Sequence, residues 1–537
     1  MLKRLVCAAL VIMAGAGIWY VAKSTDDPDY SAGLQSVTEE ADKEDADATE
    51  AVETVQDEGL TLWYTDEALT DYLSSVALSY EQDTGIKVNI VRKDGVQFLE
   101  TINAVSIADA KDREEAMPDL YITSHDDLQR AYLSGLAAII TDPDGMVLPS
   151  IFPQTALNAV TCYDHYVGYP LYYETNFFLY NKTYMASIAH NKIEADADMA
   201  EGEAATQELL ENGVPEEDKI SDDEDTGEAN AGEDGDEMAQ DAQDEANPMG
   251  EEDETADPEV LKKLATMIPE TMEDVKTFAN NYDAPEAVES VFKWDVSDIF
   301  YNYFFVGNYM DVGGEHGDNA SVFNIYNSQT VECLRAYQAM NQFFSIDTKV
   351  DNYDNILQDF IDGKMVFTVA TTDAIARIHE AARNDEFEFE YGVSTLPDIT
   401  SLLKARGLSV TDAVVINGYS EKQADANLLA SYLVYRKASD LYMRSGKVSC
   451  SKTVEFEDPE IAKIMDEYER SMPLPKMVET SNFWVQLEIA FTKVWNGGDP
   501  DQILMELSDT IGAQIEQIKA NLPTQESFSA GAGGFVK

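Results

Sequence analysis

Apolar residues along the chain recur with two periods, and the two alternate. Leu60–Tyr64 (LTLWY) is short, apolar and aromatic, which predicts a strand. Glu67–Gln82 follows with Leu69, Tyr72, Leu73, Val76 and Tyr80 at helical spacing, and Gly85 stands just past its end. The same reading predicts a strand at Ile86–Val91, a helix over Val96–Ala108, a strand at Asp119–Thr123 (DLYIT), and a short helix His125–Ser134 stopped by Gly135. Strands separated by helices of this length imply right-handed crossovers and a parallel sheet covered on both faces, an α/β layer. Ligands of such sheets lie at the carboxyl ends of the strands, so the loops after Tyr64 and Thr123 should open on one crevice. Those loops carry Thr65, Asp66, Glu67, Ser124, His125 and Asp126, for which helix capping is the competing role.

The densest aromatic pattern is Tyr166–Tyr184 (YVGYPLYYETNFFLYNKTY), where Leu171–Tyr180 reads as a strand ending at the turn-like Asn181-Lys182. Burying an unpaired carboxylate costs several kcal/mol, so Glu174 must face water, a cation or a bound polar ligand. Tyr172 and Tyr173 point to opposite faces of such a strand, and at most one joins Glu174. Further on, Ile268–Val275 reads as a helix start and Val296–Tyr309 as an aromatic helix, with Trp294, Asp295 and Asp298 placed to reach a ligand. Helices at Thr330–Phe344 and Tyr353–Ile361 precede a strand Met365–Ala370, closed by Thr371, Thr372 and Asp373. Strands at Tyr391–Leu396 and Asp412–Ile416, a helix Ala424–Lys437, and a last helix opening with Phe483 and Trp484 complete the pattern.

Composition changes this picture in two places. The 537 residues are 44% hydrophobic, enough for a substantial core, yet the net charge is −66. Asp26–Glu58 holds thirteen acids against one lysine, and Glu194–Glu259 holds twenty-eight against one; together they carry −39 of the charge. Both read as self-repelling, disordered segments. The remainder is still acidic, which argues against nucleic acid as a partner, because phosphate binding needs a basic face.

At the start, Lys3-Arg4 precede an uncharged run, Leu5–Ala22, of roughly 27 Å as a helix. This segment is either a signal anchor, attaching the chain to the membrane, or a cleaved signal peptide with Ala14-Gly15-Ala16 as the small-residue site. Either way the bulk of the chain is exported and extracellular. Cys162, Cys333 and Cys450 lack metal-ligand spacing, no metal site is expected, and no motif calls for a cofactor.

Several segments taken together resemble the maltose-type extracellular solute-binding proteins of ABC importers. They are LTLWYTDEALTDYLSSVALSYEQDTGIKVNIV at Leu60–Val91, MPDLYITSHDDLQRAYLSGLAAI at Met117–Ile139 and GYPLYYETNFFLYNKTYM at Gly168–Met185. They continue with IPETMEDV at Ile268–Val275, ILQDFIDGKMVFTVATTDA at Ile356–Ala374, YGVSTLPD at Tyr391–Asp398, VTDAVVING at Val410–Gly418 and SMPLPKMVETSNFWVQLEIAF at Ser471–Phe491. The resemblance implies a type II periplasmic-binding-protein-like α/β fold: two lobes, each a mostly parallel sheet flanked by helices, joined by crossing hinge strands. It places lobe 1 at 59–172 and 411–455, and lobe 2 at 173–410, with a disordered acidic insertion at 186–259, and at 456–522. Residues 1–23 are the anchor or signal peptide, 24–58 the acidic tether and 523–537 a tail.

The resemblance implies a non-enzymatic protein that captures a saccharide between the lobes and hands it to ABC permease subunits. Sugar contacts would map onto Asp126, Glu174 and Trp484, then Asp66 and Asp295 or Asp298, with Tyr172 beside Glu174. Asp373 falls where the family carries an aromatic residue, and so does Thr123, while Glu488 replaces a basic one. Carboxylates suit vicinal hydroxyls, and an aromatic face suits the sugar's C–H side. Two other classes remain: a surface or sensory protein for another small polar or cationic solute, and a glycoside hydrolase, for which no motif fixes a carboxylate pair at catalytic separation.

Overall fold

The computed structural model describes residues 59–109, 113, 115–212, 255–480 and 482–521. The N-terminal apolar run, the acidic tether, the middle of the acidic insertion and the tail lie outside the described residues.

The first half-sheet forms as the hydrophobic pattern predicts. Strand β1 (Leu60–Tyr64) leads through a single 3-10 turn at Glu67–Leu69 into α1 (Thr70–Thr84), which ends at Gly85 in the left-handed region (φ 76°). β2 (Val88–Arg92), α2 (Phe98–Ile107), β3 (Leu120–Ser124) and α3 (Leu128–Leu133) follow, and β1 pairs in parallel with both β2 and β3. Leu60, Leu62 and Tyr64 are buried in one apolar cluster, whereas Trp63 is buried in another with Phe98, Ile102 and Tyr121. Alternate residues of β1 thus point into two cores, which is what a strand covered on both faces requires.

After α4 (Gln154–Ala159) comes the longest strand, β4 (Tyr169–Asn181), then α5 (Lys182–Asn212), α6 (Pro258–Ala265), α7 (Met272–Asn281) and β5 (Ser290–Lys293). The second half-sheet adds α8 (Ser328–Phe343), α9 (Tyr353–Ile361), β6 (Met365–Thr371), α10 (Asp373–Arg383) and β7 (Tyr391–Ser394). β8 (Leu408–Ile416), α11 (Gln423–Ser431), α12 (Ala438–Ser445), β9 (Val448–Ser449) and α13 (Pro459–Arg470) lead to β10 (Met472–Pro473), α14 (Phe483–Trp495) and α15 (Pro500–Asn521).

One ten-stranded sheet runs β2-β1-β3-β8-β4-β6-β5, with β7 and β9 also on β4 and β10 on β8. β4 joins its halves. Its first part, Tyr169–Thr175, pairs antiparallel with β8, and its second part, from Asn176, pairs antiparallel with β6 and β7. β8 likewise runs from β10 at Leu408 to β3 at Ile416. Two strands therefore pass between the half-sheets side by side, and the sheet is mixed: parallel within each half, antiparallel where the strands cross.

Two expectations are corrected. The acidic stretch does not leave the fold at Met185: α5 continues to Asn212, with Tyr184, Met185, Ala186 and Ala189 buried, and packs on α6 through Val260, Leu264 and a Lys263–Asp196 ion pair of 2.8 Å. Alanine, glutamate and methionine are strong helix formers, so low hydrophobicity there meant a solvated helix rather than absence of structure. Val296–Tyr309 is not a helix either. It forms two 3-10 turns, Ile299–Tyr301 and Tyr303–Phe305, because Asp298 caps Phe300 and the Asn302 amide donates to the carbonyls of Asp295 and Asp298.

Candidate ligand-binding site

Glu174 lies on β4 where the crossing strands meet. Tyr172 shares its face, whereas Tyr173 points the other way and stacks on Tyr468, rings parallel at 3.9 Å. Across the ladder Tyr172 is opposite Asp412 of β8, and its hydroxyl donates to that carboxylate. On the other edge β9 runs antiparallel to β4, with Val448 opposite Tyr173. Extending this register by one residue brings Lys447 opposite Glu174.

That geometry is realised. The Lys447 ammonium is 3.4 Å from Glu174 Oε1 and 3.0 Å from Asp66 Oδ2, and it sits 5.2 Å from the centre of the Tyr172 ring. Exposure is 19% for the Lys447 side chain, 18% for Asp66 and 27% for Glu174, so the group is largely but not fully withdrawn from water. At 3 Å and an effective dielectric of about 20, the attraction is on the order of 5 kcal/mol. Desolvation costs several kcal/mol per ion and cancels much of it. The pairing therefore fixes geometry more than it adds stability. Burial alone would push the Lys447 ammonium down; the carboxylates of Glu174, Asp66 and Asp412 outweigh it and hold the group above its ordinary value.

Asp66 caps a turn and pairs with the lysine. Oδ1 accepts from Ala68 N as a cap on the turn after β1, and Oδ2 takes the lysine. Asp126 follows β3, the next strand over, and accepts from Ser124 Oγ at 2.5 Å. Its neighbour Asp127 is half-buried and paired with Arg130 at 2.8 Å; desolvation, reinforced by the Asp126 charge, pushes its carboxyl up.

His125 is structural. Nδ1 accepts from Thr411 N at 3.0 Å and Nε2 donates to Leu474 O at 2.8 Å, which defines a neutral tautomer tying β8 to the segment after β10. Burial holds its pKa down at about 4. Lys476 pins the same segment: its buried ammonium donates to the carbonyls of Asn158 and Thr161 at 3.0 and 2.9 Å and to that of His316.

The remaining predicted residues gather on the second half-sheet. Asp295 is 5% exposed; Oδ1 accepts from Ser297 and Oδ2 from Tyr353 N, so it braces the start of α9. Asp298 caps the first 3-10 turn, and Glu488, one turn beyond Trp484, lies beside it; burial and the Asp298 charge push the Glu488 carboxyl up. Asp373 accepts from Tyr353 Oη at 3.0 Å and from Thr371 Oγ1, and Tyr353 stacks on Tyr301 at 4.8 Å. Trp484 is half-buried and meets Tyr303 and Phe483 edge-on at 5.5 and 4.9 Å.

The structure thus brings Asp66, Tyr172 and Glu174 into one cluster; Asp373 follows Thr372, whose hydroxyl donates to the Tyr173 carbonyl at 3.4 Å, while Asp298 and Trp484 stand on the second half of the fold. Lys447 and Asp412 escaped the sequence reading, and only the register of β9 and β8 on β4 could have revealed them. A cavity of about 510 Å³ lined by Lys493, Asn496, Asp499, Gln502 and Glu506 involves none of these residues. No group of three or more His, Cys, Asp or Glu among the described residues is arranged to hold a metal ion, and no described helix is long and apolar enough to cross a membrane. Cys162, Cys333 and Cys450 are buried and unpaired.

No family model matches the chain, and no curated protein matches its sequence. Solved structures match its fold. An extracellular solute-binding protein of Staphylococcus aureus in complex with maltose is 18% identical, with a TM-score of 0.61 over 86% of this chain and 98% of that one. A cyclo/maltodextrin-binding protein complexed with maltotetraose is 16% identical, with a TM-score of 0.60 over 85% and 97%. The maltose-binding periplasmic protein of Listeria monocytogenes is 17% identical, with a TM-score of 0.59 over 86% and 98%. The chain therefore has the two-lobed periplasmic-binding-protein fold of maltose-binding-type solute-binding proteins.

Proposed function

We propose that this chain is a non-enzymatic solute-binding protein that takes a saccharide of oligosaccharide size between its two lobes and delivers it to an ABC permease. One observation carries the reading. The strands that pass between the half-sheets bring Asp66, Tyr172 and Glu174 together, in a fold whose solved examples hold maltose and maltotetraose. Carboxylates accept paired hydrogen bonds from vicinal hydroxyls, and the half-buried Trp484 ring offers the sugar an apolar face.

Asp66, Asp126, Glu174 and Tyr172 form the first wall of this proposed site, and Trp484, Asp298 and Asp373 the second. Ligand selects the closed arrangement, and closure bends β4 and β8. In this reading the protein works outside the cell, held at the membrane by the apolar N-terminal run or released from it. Lobe 1 comprises 59–172 and 411–455 in this scheme, and lobe 2 the rest of the folded chain.

A thermal-shift screen of neutral oligosaccharides, polyamines and divalent metals tests the reading. A ligand at a hundred times its Kd stabilises by about 2.7 kcal/mol, a readable rise in midpoint. Maltooligosaccharides are expected to raise it and to be recovered uncleaved. A shift with polyamines or metals alone, or hydrolysis of the sugar, contradicts it.

A further inference from the structure

Lys447 has no place in the proposed sugar contacts, yet it is the cation at their centre. Three features put it there. α12 ends at Gly446 in the left-handed region (φ 67°), so the chain turns sharply and enters β9 at once. A Cβ at Gly446 would stand 3.1 Å from the Cβ of Ala376 on α10, so the turn is pressed against an element of the other half-sheet. The register of β9 on β4 then aims Lys447 across the ladder at Glu174, while Asp66 arrives from the turn after β1.

A lysine so placed does what a water molecule cannot. Asp66 and Glu174 come from elements that share no backbone hydrogen bond, and two carboxylates brought close together would each resist ionisation. An ammonium between them keeps both charged and fixes the oxygens it touches, so the carboxylates meet a ligand already oriented. Asp412 adds a third carboxylate to the field around the ammonium. The excess negative charge disfavours an anionic ligand.

We propose that Lys447 is the positioning and specificity residue of the site, holding the Asp66 and Glu174 carboxylates in place for neutral sugar hydroxyls and leaving a net negative field that excludes acidic saccharides. The proposal rests on the saccharide reading for its ligand, but its core claim concerns the protein alone. Without its long ammonium the two acids lose their common partner, whether or not a sugar is present.

The test uses full-length Lys447→Met, Lys447→Gln and Lys447→Arg, each first shown to be folded by its melting curve; Lys447→Gln stands in if Lys447→Met does not fold. In the ligand-free protein, NMR titration of the side-chain carboxyls is expected to show Asp66 and Glu174 moving up by about one to three pH units in Lys447→Met and little in Lys447→Arg. Unchanged titration in Lys447→Met overturns the proposal.

Calorimetry with maltotriose from pH 5 to 8 is expected to give a flat profile for the unsubstituted protein and Lys447→Arg. For Lys447→Met it should give an affinity lower by tenfold or more, falling further as pH drops. A flat, undiminished profile in Lys447→Met also overturns it, as does binding of galacturonate trimer by the unsubstituted protein as tightly as maltotriose. If no saccharide binds the unsubstituted protein, the saccharide reading fails while the titration still decides the role of Lys447.

Discussion

Glu174 was legible in the sequence and Lys447 was not, for a physical reason. An acid in an aromatic strand announces itself, because burying it unpaired is costly. Its partner lies 273 residues away and meets it only through strand register, which no local pattern encodes. Asp295 behaves alike: the backbone amide that it accepts from, Tyr353 N at the head of α9, lies 58 residues on and is not visible in the local pattern.

A second buried acid gives a prediction at this scale. Glu467 is fully buried, accepts from Leu396 N at 2.9 Å through Oε2, and borders Gly407 together with Asn176 of β4, whose side-chain amide has no hydrogen-bond partner among the described residues. Burial pushes its carboxyl up to about 7 from 4.5. Below pH 4.5 both folded and unfolded states hold the proton, so the shift costs nothing there. As pH rises from 4.5 to 7 the unfolded chain releases its proton first, and the fold loses on the order of 3 kcal/mol. Glu467→Gln removes this loss. Its melting temperature should match the unsubstituted protein's near pH 4 and exceed it at pH 7; parallel curves across that range would refute the assignment.

At the scale of elements, strands were the most legible. Leu60–Tyr64 was matched to the residue, because both its faces are buried and its composition is purely apolar and aromatic apart from Thr61. The start of β8 was missed: Leu408-Ser409-Val410-Thr411 carries two polar residues, yet Ser409 and Thr411 are buried among side-chain partners from Tyr468 and Ser471. Composition is a poor guide at α5, where a polar sequence that reads as chain without structure has high helix propensity. The helix stands because its first turns and α6 share apolar contacts. Leu264→Ala on α6 should therefore cost about 2–5 kcal/mol in denaturant unfolding, whereas replacing residues 213–254 by a short Gly/Ser linker should leave stability and ligand affinity unchanged. A linker variant that loses affinity would show that the acidic stretch takes part in binding.

Over the whole molecule, the organisation follows from two strands that belong to both halves of one sheet. β4 and β8 carry Tyr172, Glu174 and Asp412 to the junction, and the short β9 brings Lys447 against them from the return of the chain. The segment after β10 is fastened elsewhere, through His125 and Lys476. The ordered run of local patterns made the two-lobed fold readable, whereas the contents of the junction depend on pairings between residues hundreds of positions apart.

The most direct test of the account is calorimetric titration of maltotriose into the unsubstituted protein and into Glu174→Gln, with melting curves for both. The account predicts one site per chain in the unsubstituted protein, an affinity at least tenfold weaker in Glu174→Gln, and melting temperatures within a few degrees of each other. Equal affinities, or no saccharide heat in the unsubstituted protein across the maltooligosaccharide series, would contradict it.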